Sequence, residues 1–265
     1  MSTLSITSVQ QFIEEIDRIH EKKKTETLLF RGQSKTVNAG FKLIPKAGRS
    51  GAIHHDRTIS LSDHKSLEEA ALTQFKRDFP LHRHEQISAP SNDWEYLSVA
   101  QHNGSPTRLM DWTTRDLVAL YFATRNETNL DSGAVYILNS VFPLINAPSH
   151  VPGNSISIGV GCALNSTSQG PFDIVRNTLY FPPKISTRIV NQCGLFLAFD
   201  DPRSELSLSS VIEIIIPNQY HVDIRRQLLR RDFFDGFILA DMGATEIQNT
   251  YRIRENERIS RANCL

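Results

Sequence analysis

The order of helical and strand patterns along the chain is the feature that most limits its fold. Apolar residues recur at helical spacing mainly in the first half, whereas apolar, β-branched runs typical of strands lie mainly in the second half. Segregated helices and strands favour an α+β domain over a doubly wound sheet, in which the two alternate. We therefore predict one α+β domain over residues 1–265, with N-terminal helices packed on a mostly antiparallel sheet.

Local signals place the individual elements. A capping box at Ser8–Gln11 begins a helix that continues to about Lys22. The other predicted helices are Ser66–Phe79, Asp93–Gln101, one capped by Thr114, and the basic segment Tyr220–Arg231. The predicted strands are Leu28–Phe30, Ser132–Leu138, Cys193–Phe199, Ser209–Pro217, and a last strand and turn in residues 233–243. Residues 34–63 are predicted to form a long loop, residues 140–185 an irregular region, and residues 251–265 a helix or a frayed tail.

Composition limits the possible partners and compartment. The chain carries 29 Lys and Arg against 29 Asp and Glu, so no global charge attracts nucleic acid or anionic lipid. Its cysteines, Cys162, Cys193 and Cys264, are three in number and show no metal-ligand spacing, which favours a reducing compartment. The N-terminal residues contain no long uncharged apolar run, so neither a signal peptide nor a membrane span is expected. We expect a cytoplasmic protein without a metal cofactor.

A polar block lies between two apolar helical patterns and predicts a ligand pocket. It runs from Gln101 to Thr113, within the segment Trp94–Thr124, and holds more specific hydrogen-bonding side chains than a surface loop needs. His102, with an ordinary pKa of about 6.5, could act as a general base or bind ribose. Alternatively, its ring bonds carbonyls of its own loop beside a helix C-terminus.

Arg31 follows three apolar residues, which predicts a guanidinium at the end of a strand. Its five donors suit phosphate or carboxylate recognition. The alternative is an internal ion pair with Asp111 or a contact with a helix C-terminus. Gly32 next to it permits either a positive φ or a close backbone approach.

Several other residues of the block have structural alternatives. A buried pair of Arg108 and Asp111 that braces the loop is the favoured interpretation of those two residues, and breaking it would be costly. Thr113 and Thr114 precede a helix and are typical caps, and Tyr121 lies at core spacing within that helix. Trp112 either packs in the core or stacks on a base or nicotinamide.

Three motifs together resemble the FRG domain family. They are Phe30-Arg31-Gly32, the block QHNGSPTRLMDWT at residues 101–113, and RIVNQCGLFLAF at residues 188–199. Met110 stands where the family usually has Leu. The similar blocks cover residues 28–199, DFFDGF near residue 235 is a weak further match, and residues 200–265 would form the C-terminal part of the same domain. FRG domains often occur in bacterial or phage proteins.

A more distant resemblance to ADP-ribosyltransferases rests on the order of Arg31, Thr113 and Gln192 along the chain. It implies an ADP-ribosyltransferase-like sheet, with Arg31 on the pyrophosphate or ribose of NAD and Thr113 on the nicotinamide ribose. Gln192 would act on the 2′-hydroxyl or on an acceptor, although a glutamine cannot serve as a general base. The remaining expected ligand contacts are Gly32, Gln33, Gln101, Arg108, Asp111 and Tyr121, with His102 as a further catalytic candidate. The Ser-Thr-Ser run within Asn165–Ser168 is interpreted as a coincidence.

The sequence leaves different classes of function open. The first is an NAD-binding, ADP-ribosyltransferase-like enzyme, such as a toxin or a phage-defence effector, with a protein or nucleic-acid acceptor. The second is a non-catalytic module that binds or senses a nucleotide, a nucleic acid or a partner protein. A hydrolase or nuclease using His102 and Asp111 ranks last, because no second carboxylate supports metal chemistry. The basic helix Tyr220–Arg231 is interpreted as a solvated face, with contact to nucleic-acid phosphate as the alternative.

Overall fold

A computed structural model describes residues 4–23, 27–49, 59–79, 89–125, 131–140, 142–146 and 169–239. Within these ranges, eight strands form a single open sheet in the order β1-β8-β4-β2-β3-β7-β6-β5. Only the two edge pairs of this sheet, β1 with β8 and β5 with β6, are parallel. The strands are β1 Leu4–Ser5, β2 Phe30–Gln33, β3 Leu109–Thr113, β4 Gly133–Leu138, β5 Leu144–Ile145, β6 Thr178–Tyr180, β7 Gly194–Ala198 and β8 Val211–Ile216.

Helices connect and cover these strands. They are α1 Val9–Lys22, α2 Leu61–Asp78, α3 Asp93–His102, α4 Asp116–Thr124, α5 Thr187–Gln192, α6 His221–Leu229 and α7 Asp235–Leu239. Short 3-10 turns occur at Lys46–Gly48, Leu208–Ser210 and Asn218–Tyr220. The predicted α+β class with a mostly antiparallel sheet is confirmed at this level. Within the described ranges, no helix is both long and apolar enough to cross a membrane.

Successive side chains along each strand point to opposite faces of the sheet. On the helix face, Phe30, Val135 and Ile214 pack against apolar residues of α1, α4 and α6. Farther along the same face, Leu109 and Phe196 pack against Trp94 and Leu97 of α3. The opposite side, here called the loop face, carries Trp112, Tyr136 and Leu197 and is covered by loop residues such as Leu43 and Leu206. Neighbouring residues on one strand therefore serve different layers of the protein.

Most predicted elements are found, with some corrections at their ends. The first helix begins at Val9 after the cap Ser8, as predicted. Helix α2 begins at Leu61, not Ser66, because the Ser60 hydroxyl accepts a hydrogen bond from the amide of Asp63. Thr114 does not cap α4, which begins at Asp116 after Arg115 without a side-chain cap. Strand β2 begins at Phe30 and not at Leu28, and the region predicted to be irregular contains β5 and β6.

The predicted last strand is wrong. Residues 235–239 form helix α7, which buries Ile238 in the core beside α6. A short apolar run does not distinguish a strand from a helical turn. The rest of that run, the tail at residues 251–265, and the segment Asn165–Ser168 lie outside the described residues.

Candidate functional site

A split in the middle of the sheet creates the candidate site. Strand β2 pairs with β4 along its whole length but with β3 at one residue pair only, Phe30 with Thr113. Alternate residues of the β3 segment bond to β7, as shown by the Arg108 carbonyl, which accepts from the amide of Phe199. In an antiparallel sheet the carbonyls of the residues in between, such as Asp111, point to the opposite side of the strand, toward β2.

Arg31 fills this split. Its Nη1 donates a hydrogen bond of 2.9 Å to the backbone carbonyl of Asp111 and lies 3.9 Å from the carboxylate Oδ2. Its Nε donates to Gln33 Oε1 at 3.2 Å. The side chain is 13% exposed, and burial lowers the pKa of Arg31 to about 10. The guanidinium therefore remains charged at neutral pH, and the predicted contact with Asp111 is present.

The Asp111 carboxylate is also held by other residues of the polar block. Gln101 Nε2 donates to Asp111 Oδ2 at 2.9 Å, and Gln101 Oε1 accepts from the Thr107 hydroxyl at 2.6 Å. The Thr107 oxygen in turn accepts from the amide of Leu109. The Asp111 side chain is nevertheless 47% exposed. A carboxylate in the interior of the sheet is thus oriented by its neighbours and still accessible.

More guanidinium groups than carboxylates surround the split. Burial lowers the pKa of Arg49 and of Arg188, while the nearby Asp111 carboxylate raises both. Arg49 also lowers the pKa of Arg31 by charge repulsion. Among the described residues, Asp111 is thus the carboxylate whose charge acts on Arg31, Arg49 and Arg188 alike. Such a site attracts an anion.

A cavity of about 470 Å³ opens beside Arg31. It is lined by residues 31–34, Phe41, Phe122 and Arg125. The volume falls in the range of about 300–1,000 Å³ typical of small-molecule sites. Arg31, Gly32 and Gln33, three of the predicted contact residues, therefore share one wall of this cavity.

Gly32 allows the wall to lie against α4. A Cβ at this position would lie 1.9 Å from the backbone oxygen of Ala119. Gly133, on the neighbouring strand β4, lies equally close to α4: a Cβ at this position would lie 2.1 Å from the backbone oxygen of Ala123. The positive-φ glycines of the described residues are Gly40 and Gly104. Gly32 thus serves the close approach of helix and strand, one of the two alternatives left open by the sequence.

Thr113 and Gln192 come together in the interior. The Thr113 hydroxyl donates to the Gln192 carbonyl at 2.5 Å and accepts from the amide of Arg115 at 2.9 Å. The Gln192 side chain donates to the carbonyl of Ile238 in α7 at 2.9 Å. Both side chains are buried and neither lines the cavity. Their proposed roles toward NAD stay predictions.

Arg108 and Tyr121 also lie away from the cavity. The Arg108 guanidinium is 1% exposed and binds Glu68 through Nε at 3.2 Å and Nη2 at 2.5 Å. The expected Arg108–Asp111 pair is therefore wrong, because the partner of Arg108 comes from α2. The buried Tyr121 hydroxyl donates to Asp235, with Arg225 over its ring at 5.1 Å. Arg225 belongs to the basic helix interpreted from the sequence as a solvated face, but its side chain is only 16% exposed.

His102 is the last residue of α3. Its Nδ1 is sealed from solvent and finds no hydrogen-bond partner in the part of the chain that the structure describes. Its ring centroid lies 5.6 Å from that of Phe196, and its carbonyl accepts from Arg188 Nη1 at 3.2 Å. Burial lowers the pKa of His102 to about 4, against a smaller raising effect of Asp111. The imidazole is neutral at pH 7.

Because His102 is buried in its neutral form, acid should destabilise the protein. The pKa of His102 is about 4 in the folded state and about 6.5 in the unfolded chain, so the unfolded chain binds more protons between these values. The free energy of unfolding should therefore fall as the pH drops from about 6.5 to 4, by on the order of 2–3 kcal/mol from this residue. Urea unfolding of wild type and His102→Gln across this range measures it. An equal pH slope in both proteins would contradict the assignment, and His20→Gln in α1 is the matched control.

Sequence reasoning missed two cationic residues of the site. Arg49 lies in the segment predicted as a long loop, where no motif distinguishes it. Arg188 is the first residue of the third motif block, so the resemblance contained a signal that the prediction did not use. Among the described residues, no group of three or more His, Cys, Asp or Glu is arranged to hold a metal ion.

Comparison with known proteins bears on this region. No curated protein and no solved structure matches the chain. Arg31, Gln101, His102 and Asp111 all fall inside a family-model match, whereas Arg188 and Gln192 lie beyond its end. Residues 26–132 match the model of the FRG domain, so the motifs are supported as those of an FRG domain in this part of the chain.

Proposed function

We propose that the Arg31 cavity binds a nucleotide through its phosphate groups, with NAD as the first ligand to test. The observation that carries this proposal is a cavity that, among the described residues, is lined by the guanidinium groups of Arg31 and Arg125 and by no carboxylate. Arg49, which lies over the ring of the lining residue Phe41 and repels Arg31 by its charge, is a further cation beside it. Guanidinium groups bind phosphate oxygens by paired, charge-assisted hydrogen bonds. An incoming phosphate would relieve the mutual repulsion of Arg31 and Arg49.

The apolar part of the cavity supports a nucleotide over a free phosphate. Phe41 and Phe122 both line it, and Arg125 adds a further cation. Aromatic side chains can pack against a flat heterocycle such as a base or a nicotinamide ring. The cavity thus combines a charged part for phosphate with an apolar part for a ring, as small-molecule sites commonly do.

ADP-ribosyl transfer, the activity of a toxin or a phage-defence effector, is the more specific form of this proposal. Its carboxylate would be Asp111, which is 47% exposed and lies 3.9 Å from Arg31 Nη1. A carboxylate there can accept a hydrogen bond from a ribose or acceptor hydroxyl. The Gln192 side chain, in contrast, is engaged with Ile238. A non-catalytic sensing module is the second candidate function, favoured because no acidic residue, Asp111 included, is among the described residues that line this cavity.

Replacing Arg31 by glutamine should weaken nucleotide binding about 10- to 150-fold, because charge-assisted hydrogen bonds contribute about 1.5–3 kcal/mol. A thermal-shift titration with NAD, ADP-ribose and ATP measures this, since a ligand bound only by the native state raises the melting temperature. The matched control is Arg18→Gln, an arginine of α1 that is 67% exposed and pairs with Glu15.

The outcomes separate the candidate functions. A shift in wild type that Arg31→Gln loses and Arg18→Gln keeps would support the nucleotide site. Transfer of labelled ADP-ribose that Asp111→Asn abolishes, with NAD binding retained, would support the enzyme. An unchanged melting temperature at millimolar concentrations of all three nucleotides would overturn the proposal and favour a module for a macromolecular partner.

A further inference from the structure

We propose that Tyr136 and Glu213 are positioning residues for the Arg31 cavity. They fix the segment 34–41, here called the wall segment, in the place where it borders the cavity. The inference rests on the proposed function in one respect, since it assigns the cavity a ligand. Neither residue lines the cavity, so both act through the backbone that they hold.

Tyr136 and Glu213 extend a row of side chains that starts at Arg31. In the sheet register, Arg31 of β2 lies opposite Tyr136 of β4, which lies opposite Glu213 of β8. The Tyr136 hydroxyl donates to Glu213 Oε1 at 2.9 Å and accepts from the amide of Val37 at 3.0 Å. A strand residue thus binds the backbone in the middle of the wall segment.

Glu213 sets the direction of these two hydrogen bonds. A carboxylate only accepts, so the phenolic proton points to Glu213 and a lone pair of the Tyr136 oxygen faces the Val37 amide. Burial raises the pKa of Tyr136 well above its usual range, and the nearby Glu213 raises it further. The phenol therefore keeps the proton that it donates, and the pair acts as one unit.

The Val37 side chain also packs against the apolar cluster of the loop face, whereas two other polar attachments of the wall segment lie nearer its ends. Gln33 Nε2 donates to the carbonyl of Phe41 at 3.0 Å. Lys35 and Asp131 form an ion pair of 2.7 Å between side chains that are both more than 40% exposed, a type of pair that contributes little. Within the segment, the amide of Phe41 bonds to the carbonyl of Thr36, which closes a turn. Tyr136 therefore fixes the position of this turn over the sheet.

The wall segment is in turn connected to the charged part of the cavity. Gln33 Oε1 accepts from Arg31 Nε while the amide nitrogen of the same side chain binds Phe41. The Arg49 guanidinium lies 4.9 Å from the centroid of the Phe41 ring. A displaced wall segment would move Phe41 and loosen the contacts that orient Arg31 and Arg49. The consequence is weaker binding, without loss of a group that touches the ligand.

The test compares Tyr136→Phe with Tyr180→Phe, which removes the hydroxyl of another buried tyrosine far along the sheet on β6. We expect Tyr136→Phe to raise the hydrogen-exchange rate of the wall-segment amides at least 10-fold and to weaken NAD binding about 5- to 30-fold, while Tyr180→Phe changes neither. Glu213→Gln keeps an acceptor oxygen and should lie between wild type and Glu213→Leu, which has none. This ranking would not arise from a general loss of stability.

Two results would count against the inference. Wild-type exchange rates of the wall segment in Tyr136→Phe would overturn it, and so would equal effects of Glu213→Gln and Glu213→Leu, which also serve if Tyr136→Phe fails to fold. If wild type binds no NAD, ADP-ribose or ATP but Tyr136→Phe alone speeds exchange, the hold on the wall segment stands and the nucleotide proposal fails. The two failures are thus distinguishable.

Discussion

Replacing Arg108 by methionine is expected to lower the free energy of unfolding by about 3–5 kcal/mol, because it leaves a buried carboxylate without its partner. Arg108 binds Glu68 by two hydrogen bonds of 3.2 and 2.5 Å, and both side chains are almost completely buried. Its Nη1 also donates to the carbonyls of Phe199 and Asp200. The arginine therefore joins α2 to the end of β7, and its loss affects both.

His64 moderates but does not replace this interaction. Its Nδ1 lies 3.3 Å from Glu68 Oε2, and its Nε2 lies 3.1 Å from the carbonyl of Ala47. The hydrogen bond with Glu68 raises the pKa of His64 above its ordinary value. In the methionine variant a protonated His64 would be the nearest cation left to Glu68, so the variant should lose more stability at pH 8 than at pH 6.

Urea unfolding followed by circular dichroism measures the loss. The double variant Arg108→Met/Glu68→Leu removes both charges and should recover part of it, because apolar side chains can replace a buried ion pair. Arg18→Met is the matched control, since its partner Glu15 and its own exposed position predict a change below about 0.5 kcal/mol. A loss below about 1 kcal/mol for Arg108→Met would show that the pair is not buried as described.

The error over Arg108 shows where sequence reasoning reaches its limit. Arg108 and Asp111 are three residues apart, so a local pair is the natural expectation. The actual partner, Glu68, lies 40 residues earlier, in the helix whose start the sequence placed five residues too late. No periodicity within the block reveals a contact of that separation.

Elements defined by local signals were predicted well. The helix from Val9 to Lys22 has its cap and its apolar spacing within the same few residues, and the strand Gly133–Leu138 is a single apolar run. The order of the eight strands depends instead on pairings between distant segments, and no sequence pattern predicted it. The short run in residues 233–239 fitted two secondary structures equally, and in the fold it forms a helix that packs against α5 and accepts hydrogen bonds from Asn191 and Gln192.

The candidate site, like the fold, could be predicted from the sequence only in part. Arg31, Gly32 and Asp111 were selected by motif and are close in space, because β2 and β3 are neighbours in the sheet. The expected trio of Arg31, Thr113 and Gln192 has a different outcome. Thr113 and Gln192 lie in contact, but their polar groups bind each other and α7. Residue order along the chain could not reveal that these groups are occupied by the fold.

Gly32→Ala should cause the second large effect, a loss of about 3 kcal/mol or more in the free energy of unfolding, at the upper end of the range for overpacking. The added Cβ would lie 1.9 Å from the oxygen and 2.8 Å from the carbonyl carbon of Ala119, and 2.8 Å from the amide nitrogen of Ala123. These are backbone atoms of α4, so no side-chain rotation can relieve the clash. The helix itself must move away from β2.

A displaced α4 would also change the cavity, because Phe122 and Arg125 line it from that helix and its C-cap. Gly32→Ala should therefore weaken nucleotide binding more than 10-fold even at temperatures where the variant is folded, although the alanine methyl group is on the helix face and Arg31 on the loop face. The matched control is Gly194→Ala in β7, where the nearest atoms to a new Cβ are 3.9 Å away. Alanine there should change the free energy of unfolding by less than about 1 kcal/mol. Equal urea midpoints for the two variants would mean that β2 and α4 are not in close contact. A large loss of stability with unchanged nucleotide affinity would mean instead that the ligand does not depend on the position of α4.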